Sequence, residues 1–574
     1  MTGRLWWNTL CNRMGKIGSI VTSYKSLKPI KIVCWLFLAV WIILTWNTLL
    51  DNHVYVNMSP SIARFREAQT NSNDFFTEYD TEQFNIMCRG VDVVYMTETT
   101  NADYSKLDVY EQRVTNEYIL NVRIKAFNKR NEHKTRGGDL LFVLSKQVYG
   151  DGKMASPVID HDNGTYSAHL RFPWTGTTKV WVNLATKLEN SCLRFQTMKA
   201  YGTSVFAMTD VWGFKANFAN KNNVENTYCL PSETIFGYKS ACNLTMLNDN
   251  LHYFCGLPYN SHLRCEDLQY TYTGSFDGMR IIINSVKVDL SVAGKLSRVV
   301  IIDVPRADHF AAKEISHCSK VPKALTWQNI TDRVAGYWLN KTWHVPICES
   351  NIEHTVEKYR HCLKGREMFF FGDSTARQYA DYFVNEVLEK RPKIDLRMLM
   401  FGHNTYNWRN TFSSLNINVT FLKHAMPFSG DKVPVNGVTS VYTELSRLSK
   451  TDIPGEQLIF FIVYHSHLQP FPVSFYKDRI RKLVISIKDF LSLKPKALFF
   501  LKSPSYVMDQ SNRWVDNKMS LLYIKILLQE FESLHDRVVY LDTWSINVIH
   551  ETISIHPETE TLMAQIKHFM SFIC

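Results

Sequence analysis

Two places in the chain carry residues that could act together on an ester: Gly372-Asp373-Ser374, and His556 far downstream. A serine hydroxyl is a weak nucleophile unless an imidazole accepts its proton and a carboxylate holds the tautomer of that imidazole. Ser374, His556 and an acid would form such a set, and its chemistry would be acyl transfer through an acyl-serine. The competing reading is structural: Gly372-Asp373-Ser374 as a plain strand-to-helix turn and His556 as a helix cap.

The elements around these residues favour a catalytic placement. Phe369-Phe370-Phe371 is an apolar run that breaks at Gly372, and Ala376, Ala380, Phe383, Val384, Val387 and Leu388 then recur at helical spacing before Pro392. After Val321, apolar runs alternate with helical patterns, as in a parallel sheet with crossover helices. Strands are expected at Met368 to Phe371, Leu458 to Tyr464, Ala497 to Leu501 and Val538 to Leu541. Ligands of open α/β sheets bind beyond the carboxyl ends of the strands. Ser374 follows the first strand, where N–H groups at a helix start can hold an oxyanion. His465 and His467 follow the second, and Asp542 follows the last. His556-Pro557-Glu558 opens a final helix whose apolar face is Leu562, Met563, Ile566, Phe569 and Met570.

The first half has a different texture. Short β segments are expected at Val91 to Met96, Tyr118 to Phe127, Leu140 to Tyr149, Tyr166 to Phe172, Val180 to Leu184, Ile281 to Leu290 and Val299 to Val304. Tyr166, Ala168, Leu170 and Phe172 alternate with polar residues, the period of a sheet with one buried face. A β-sandwich fits this pattern. Cys192, Cys229, Cys242, Cys255 and Cys265 cluster in its later part, where disulfides are expected as staples.

Compartment follows from the N-terminus. Ile32 to Leu50 is uncharged and long enough for one membrane helix, and six basic residues with no acidic one precede it. The expected topology is single-pass type II, with residues 1–31 cytosolic, 32–50 a signal anchor and 51–85 a polar stem. The sequons at Asn57, Asn163, Asn243, Asn329, Asn340 and Asn418 all fall beyond the anchor, as do ten of the twelve cysteines. The basic tail accounts for much of the net charge of +11, so nucleic acid is not an expected partner. There is no glycine-rich nucleotide loop. His344, Cys348, His354, His361 and Cys362 match no standard zinc spacing, and no metal is expected. Trp327, Trp338 and Trp343 with Tyr337 read as core or interface packing in preference to a sugar platform.

Three tracts carry a family resemblance: Phe370-Phe371-Gly372-Asp373-Ser374-Thr375-Ala376-Arg377-Gln378, His465 to Pro472, and His556-Pro557 through Phe572-Ile573-Cys574. They resemble the PC-esterase domain, a branch of the SGNH or GDSL hydrolases. Asp162-Asn163-Gly164-Thr165-Tyr166 and Val180-Trp181-Val182 resemble filamin-type immunoglobulin-like repeats, and the cysteine-bearing half resembles neurexophilin. Together the chain resembles the neurexophilin and PC-esterase domain (NXPE) family. The resemblance implies all-β plus α/β architecture: an immunoglobulin-like sandwich with a cysteine-rich part over 86–320, then an SGNH-like α/β domain over 321–574.

It also implies O-acyl transfer or hydrolysis on glycans, sialic acid among them, in the Golgi or endoplasmic reticulum or after secretion by cleavage. Under it Ser374 is the nucleophile, His556 the base, and Ser374, His467 and Gly402 the oxyanion donors. Two blocks depart from the family pattern. Ile553 stands three residues before His556 where an Asp is usual, leaving Asp542 or Glu551 to serve as the acid. His465-Ser466-His467 replaces the usual Gly-x-Asn. No cofactor is expected to stay bound; a transferase would need an acetyl donor, for which acetyl-CoA is one candidate. Expected partners are a glycan or glycoprotein substrate, the membrane, and a cell-surface protein on the sandwich. The alternative function is a catalytically degenerate binding or adhesion protein.

Overall fold

The computed structural model describes residues 76–91, 98–114, 117–203, 210–235, 237–280, 294–305, 316–328, 336–350, 352–388, 408–424, 433–434, 440–508 and 515–574. The expected anchor at 32–50, the stem up to residue 75 and the strands at 92–96 and 281–290 lie outside them. Among the described residues no helix is long and apolar enough to cross a membrane.

The last part of the expected stem is a helix, Glu78–Cys88. Its start is fixed by Thr77 and Asp80, which exchange side-chain and backbone hydrogen bonds as a capping box. Asp80 also accepts from the Ser474 N–H at 2.8 Å, and Cys88 is bonded to Cys192. Polar composition suggested a spacer here, but the buried carboxylate serves as a docking point.

In the first half, Lys106–Val114, Glu117–Lys125, Thr165–Arg171 and Ile159–Asp160 form one antiparallel sheet. Leu140–Gln147, Lys153–Pro157, Gly176–Thr186 and Val300–Val304 belong to a second. Leu120, Val122, Ile124, Ala168 and Leu170 of the first sheet share a core with Val143, Val180, Val182 and Leu184 of the second. That shared core makes a β-sandwich, as the alternation predicted. The hairpin Tyr337–Leu339 and Thr342–His344 pairs through Tyr337 with Met154, so residues expected in the second domain extend the sandwich sheet. A third sheet carries Asp210–Ala219, Val224–Leu230 and Leu268–Arg280, with disulfides Cys229–Cys255 and Cys242–Cys265 beside it. Leu188–Tyr201, in the region read as β, is a helix ended by left-handed Gly202.

The second half is built on one mixed sheet ordered Trp408–Phe412, Ile417–Lys423, Glu367–Gly372, Leu458–Ile462, Leu498–Lys502, Val538–Leu541. Only the Trp408–Phe412 edge is antiparallel; the other pairs are parallel. Both faces are covered, which explains the unbroken apolar run: Phe369 and Phe371 join one core while Met368 and Phe370 join the other. Chain order reverses at Glu367–Gly372, which lies between the next parallel strand on one side and the third on the other. Loops after these strands therefore part around a crevice.

Five disulfides, including Cys318–Cys348 and Cys362–Cys574, place the described body in an oxidising compartment. They also engage Cys348 and Cys362 of the His/Cys cluster. Trp327, Trp338 and Trp343 are buried, with Trp327 stacked on Phe531 and His535.

Candidate active site

Ser374 is the first residue of the helix Ser374–Tyr382, directly beyond the sheet's topological switch. Gly372 makes that junction possible. Its φ is 148°, and a Cβ there would lie 2.5 Å from the Val463 carbonyl oxygen and 2.9 Å from Val463 Cβ. Only glycine lets the chain turn against the neighbouring strand's end. Asp373 caps the helix: its Oδ1 accepts from the Thr375 N–H at 2.8 Å and the Thr375 hydroxyl at 2.7 Å. The Ser374 N–H, in the first turn, has no intrahelical acceptor and is available to an oxyanion.

His556 meets the serine. Its Nε2 lies 2.6 Å from Ser374 Oγ across 182 positions of sequence. The Ser374–Tyr382 helix is bound to the final helix and its approach loop: Gln378 Nε2 donates to the Pro557 carbonyl at 3.2 Å, and the Tyr379 hydroxyl donates to Gln565 Oε1 at 2.6 Å. Phe569 on the final helix packs edge-on against Phe461 and Phe500 of the sheet. That helix runs Thr559–Ile573 with Glu558 at its N-cap, so His556 is in the approach loop and is not the cap.

The expected acid is elsewhere. Asp542 accepts from the Ser545 N–H at 3.1 Å and its hydroxyl at 2.6 Å, and it lines a small pocket with Tyr540, His568 and Phe572. It directly follows the far edge strand Val538–Leu541, which two others separate from the Glu367–Gly372 strand. Glu551 faces the sandwich, as described below. No side chain among the described residues bonds His556 Nδ1. The carboxylate that acts electrostatically on His556 is Asp373, beside the nucleophile. Burial lowers the His556 pKa from its usual value, the Asp373 charge opposes this, and the Arg377 guanidinium adds to the lowering. The imidazole is thus held neutral, the state a base requires. Burial would raise the Asp373 carboxyl, yet His467, the Thr375 hydroxyl, His424 and the Thr375 amide together hold it below the usual range.

His467 occupies the other wall. Its Nδ1 shares a proton with His424 Nε2 at 2.8 Å, the two rings lying edge to face. Burial, then His424, bring the His467 pKa down to about 3 against the opposing pull of Asp373. If His424 is the donor in this pair, His467 carries its proton on Nε2 and is an oxyanion donor. The other histidine of the block, His465, is taken up by structure: the Ser505 N–H donates to its Nδ1 at 3.3 Å and its Nε2 faces Ser520 Oγ at 2.9 Å.

His424 and Asp373 were missed as site residues. His424 directly follows the Ile417–Lys423 strand, and its N–H donates to the Gly372 carbonyl at 3.3 Å. The rule applied to His465 and His467, a histidine just past an apolar strand, would have found it. Gly402, Asn57 and Asn329 lie outside the described residues. Asn163, Asn243 and Asn340 are exposed, whereas Asn418 is a buried strand residue, 6% exposed, whose Oδ1 accepts from the Thr411 hydroxyl at 2.6 Å.

Residues 343–574 match the family model described as NXPE family member 4-like, C-terminal domain. That span holds the mixed sheet, Ser374, His424, His467 and His556, and its match supports membership of the NXPE family.

Proposed function

We propose that the protein is an acyl-serine enzyme that transfers or removes an O-acyl group on glycans. The observation that carries this reading is the 2.6 Å contact between Ser374 Oγ and His556 Nε2. In the reading, His556 Nε2 takes the hydroxyl proton as Oγ attacks the acyl carbonyl. The carbonyl π pair moves to oxygen, which the Ser374 N–H and His467 would stabilise; one such donor is worth about 10²- to 10³-fold in rate. The intermediate collapses as the leaving alkoxide or thiolate departs with the His556 proton. A glycan hydroxyl or water, deprotonated by the same imidazole, then attacks the acyl-serine and releases Ser374. Among the described residues no acid bonds His556 Nδ1, and the set reads as a dyad in the field of Asp373. The disulfides and the sequons beyond the apolar segment fit a secretory-pathway site, with the body lumenal in a type II arrangement.

The test is expression in cells lacking endogenous glycan O-acetylation, comparing wild type with Ser374→Ala. A change in glycan ester content with wild type alone is expected. Equal ester content across candidate glycans would sink the enzyme reading. It would favour the second one, a binding protein on a retained esterase scaffold, to which His465-Ser466-His467 in place of the usual Gly-x-Asn lends support.

A further inference from the structure

We propose that the N-terminal sandwich is a working part of this site: through Glu551 it holds the loop that presents His556 to Ser374. The inference rests on the acyl-serine reading and assigns Glu551 as a positioning residue.

Glu551 precedes His556 by five residues in the loop between the helices Trp544–Ile549 and Thr559–Ile573. Three donors converge on its Oε1, all from the sandwich: Lys295 Nζ at 2.9 Å, Asn183 Nδ2 at 3.0 Å and Trp181 Nε1 at 3.3 Å. Lys295 Nζ also lies over the Trp181 ring, 5.1 Å from its centre, so the cation and the indole present one face to the carboxylate. Asn183 and Trp181 are buried on the Gly176–Thr186 strand, which is paired on both sides, with Leu140–Gln147 on one and with Gly294–Lys295 and Val300–Val304 on the other. A loop tied to such a strand inherits its rigidity.

The backbone shows that the clamp has a cost. Glu551 has φ 50°, a left-handed conformation uncommon for glutamate. A glycine would adopt it freely, but without the carboxylate the buried Trp181 Nε1 would lose its acceptor and Asn183 Nδ2 would keep only the Met508 sulfur at 3.7 Å. The loop is also fixed from below: the Met508 N–H donates to the Thr552 carbonyl at 2.7 Å, and the Thr552 N–H donates to the Asn547 carbonyl at 3.1 Å. Between this double anchor at 551–552 and Pro557, whose carbonyl accepts from Gln378, only four residues remain, and His556 is one of them. Release at Glu551 leaves that end of the short bridge on its Thr552 backbone bonds alone, and small displacements of a catalytic group are costly in rate.

The experiment uses the full-length chain and two readouts: the rate at which a fluorophosphonate probe labels Ser374, and backbone amide exchange across 550–557. Glu551→Gly removes the carboxylate while suiting the backbone. It is expected to slow labelling at least tenfold and to speed exchange in 550–557 at least tenfold, with exchange in the Glu367–Gly372 strand unchanged. Glu551→Gln, whose amide oxygen still accepts from Asn183 and Trp181, should recover labelling to within about threefold of wild type. Lys295→Glu, an exposed substitution that sets a like charge against Glu551, should shift both readouts at least threefold. It serves as the second variant should Glu551→Gly fail to fold. Wild-type labelling and exchange in Glu551→Gly, or in Lys295→Glu, would overturn the proposal. An unlabelled wild type would instead sink the acyl-serine reading and the catalytic consequence with it, while the exchange comparison still judges the clamp.

Discussion

Gly372→Ala puts a single methyl at the point where strand, nucleophile and neighbouring strand meet. The methyl would stand 2.5 Å from the Val463 carbonyl oxygen, 2.9 Å from Val463 Cβ and 3.2 Å from Ala376 Cβ. The nearest of these is backbone, and it cannot swing aside: the Val463 N–H donates to the Phe371 carbonyl at 2.8 Å, holding the two strand ends together. Overpacking of this kind costs about 1–3 kcal/mol. The φ of 148° adds a glycine-only conformation, for which a residue with a Cβ gives up about 1–3 kcal/mol more. The expected loss is therefore roughly 2–6 kcal/mol, a large share of a domain's stability. It should appear as a lower denaturant midpoint with little change in slope. Relief of the clash requires the Gly372-Asp373 peptide to move, carrying Ser374 away from His556, so labelling of Ser374 should fall even under conditions where the variant is folded. Loss of less than about 0.5 kcal/mol together with wild-type labelling would refute the argument that this glycine is fixed by close approach.

Two further outcomes follow from the site and its surroundings. Because the folded His556 lies below its ordinary pKa of 6.5, it loses its proton before neutrality and the acid limb of the rate should have its midpoint below pH 6.5; Asp373→Asn, which removes the charge opposing that shift, should move the midpoint lower still. A midpoint above 6.5 in a pH series of Ser374 labelling would contradict this. For glycosylation, mass spectrometry of the folded protein should find Asn163, Asn243 and Asn340 open to occupancy and Asn418 unoccupied, because a glycan on its Nδ2 has no room at a buried strand position; a glycan on Asn418 in native protein would refute it.

The elements that bring Ser374 and His556 together were legible because local physics wrote them down. An apolar run buried on both faces, a glycine at its end, a capping aspartate and a serine opening a helix describe a strand-to-helix elbow without reference to the rest of the chain. His556 was legible because it sits just ahead of a helix with a clear apolar face. The sandwich was legible from alternation, as in Thr165–Arg171, where buried Tyr166, Ala168 and Leu170 fall on one side. The helices Leu188–Tyr201 and Val473–Leu493 were not recognised, since the first lies among strands and takes its place from the Cys88–Cys192 bond and the second fills a crossover whose length was left open.

What the residues alone determined is the type of element presenting Ser374 and His556, because capping, turn geometry and periodicity are short-range. Which carboxylate the base feels was decided only by the tertiary structure. Asp542 and Glu551 are both near His556 in sequence, yet strand order sends Asp542 to the far edge of the sheet and domain packing turns Glu551 toward Trp181, Asn183 and Lys295. Strand order likewise brings His424 and His467, 43 positions apart, to 2.8 Å across the strand that carries Ser374. Such pairings depend on which loops share a crevice, and that is a property of the sheet's order that no window of sequence contains.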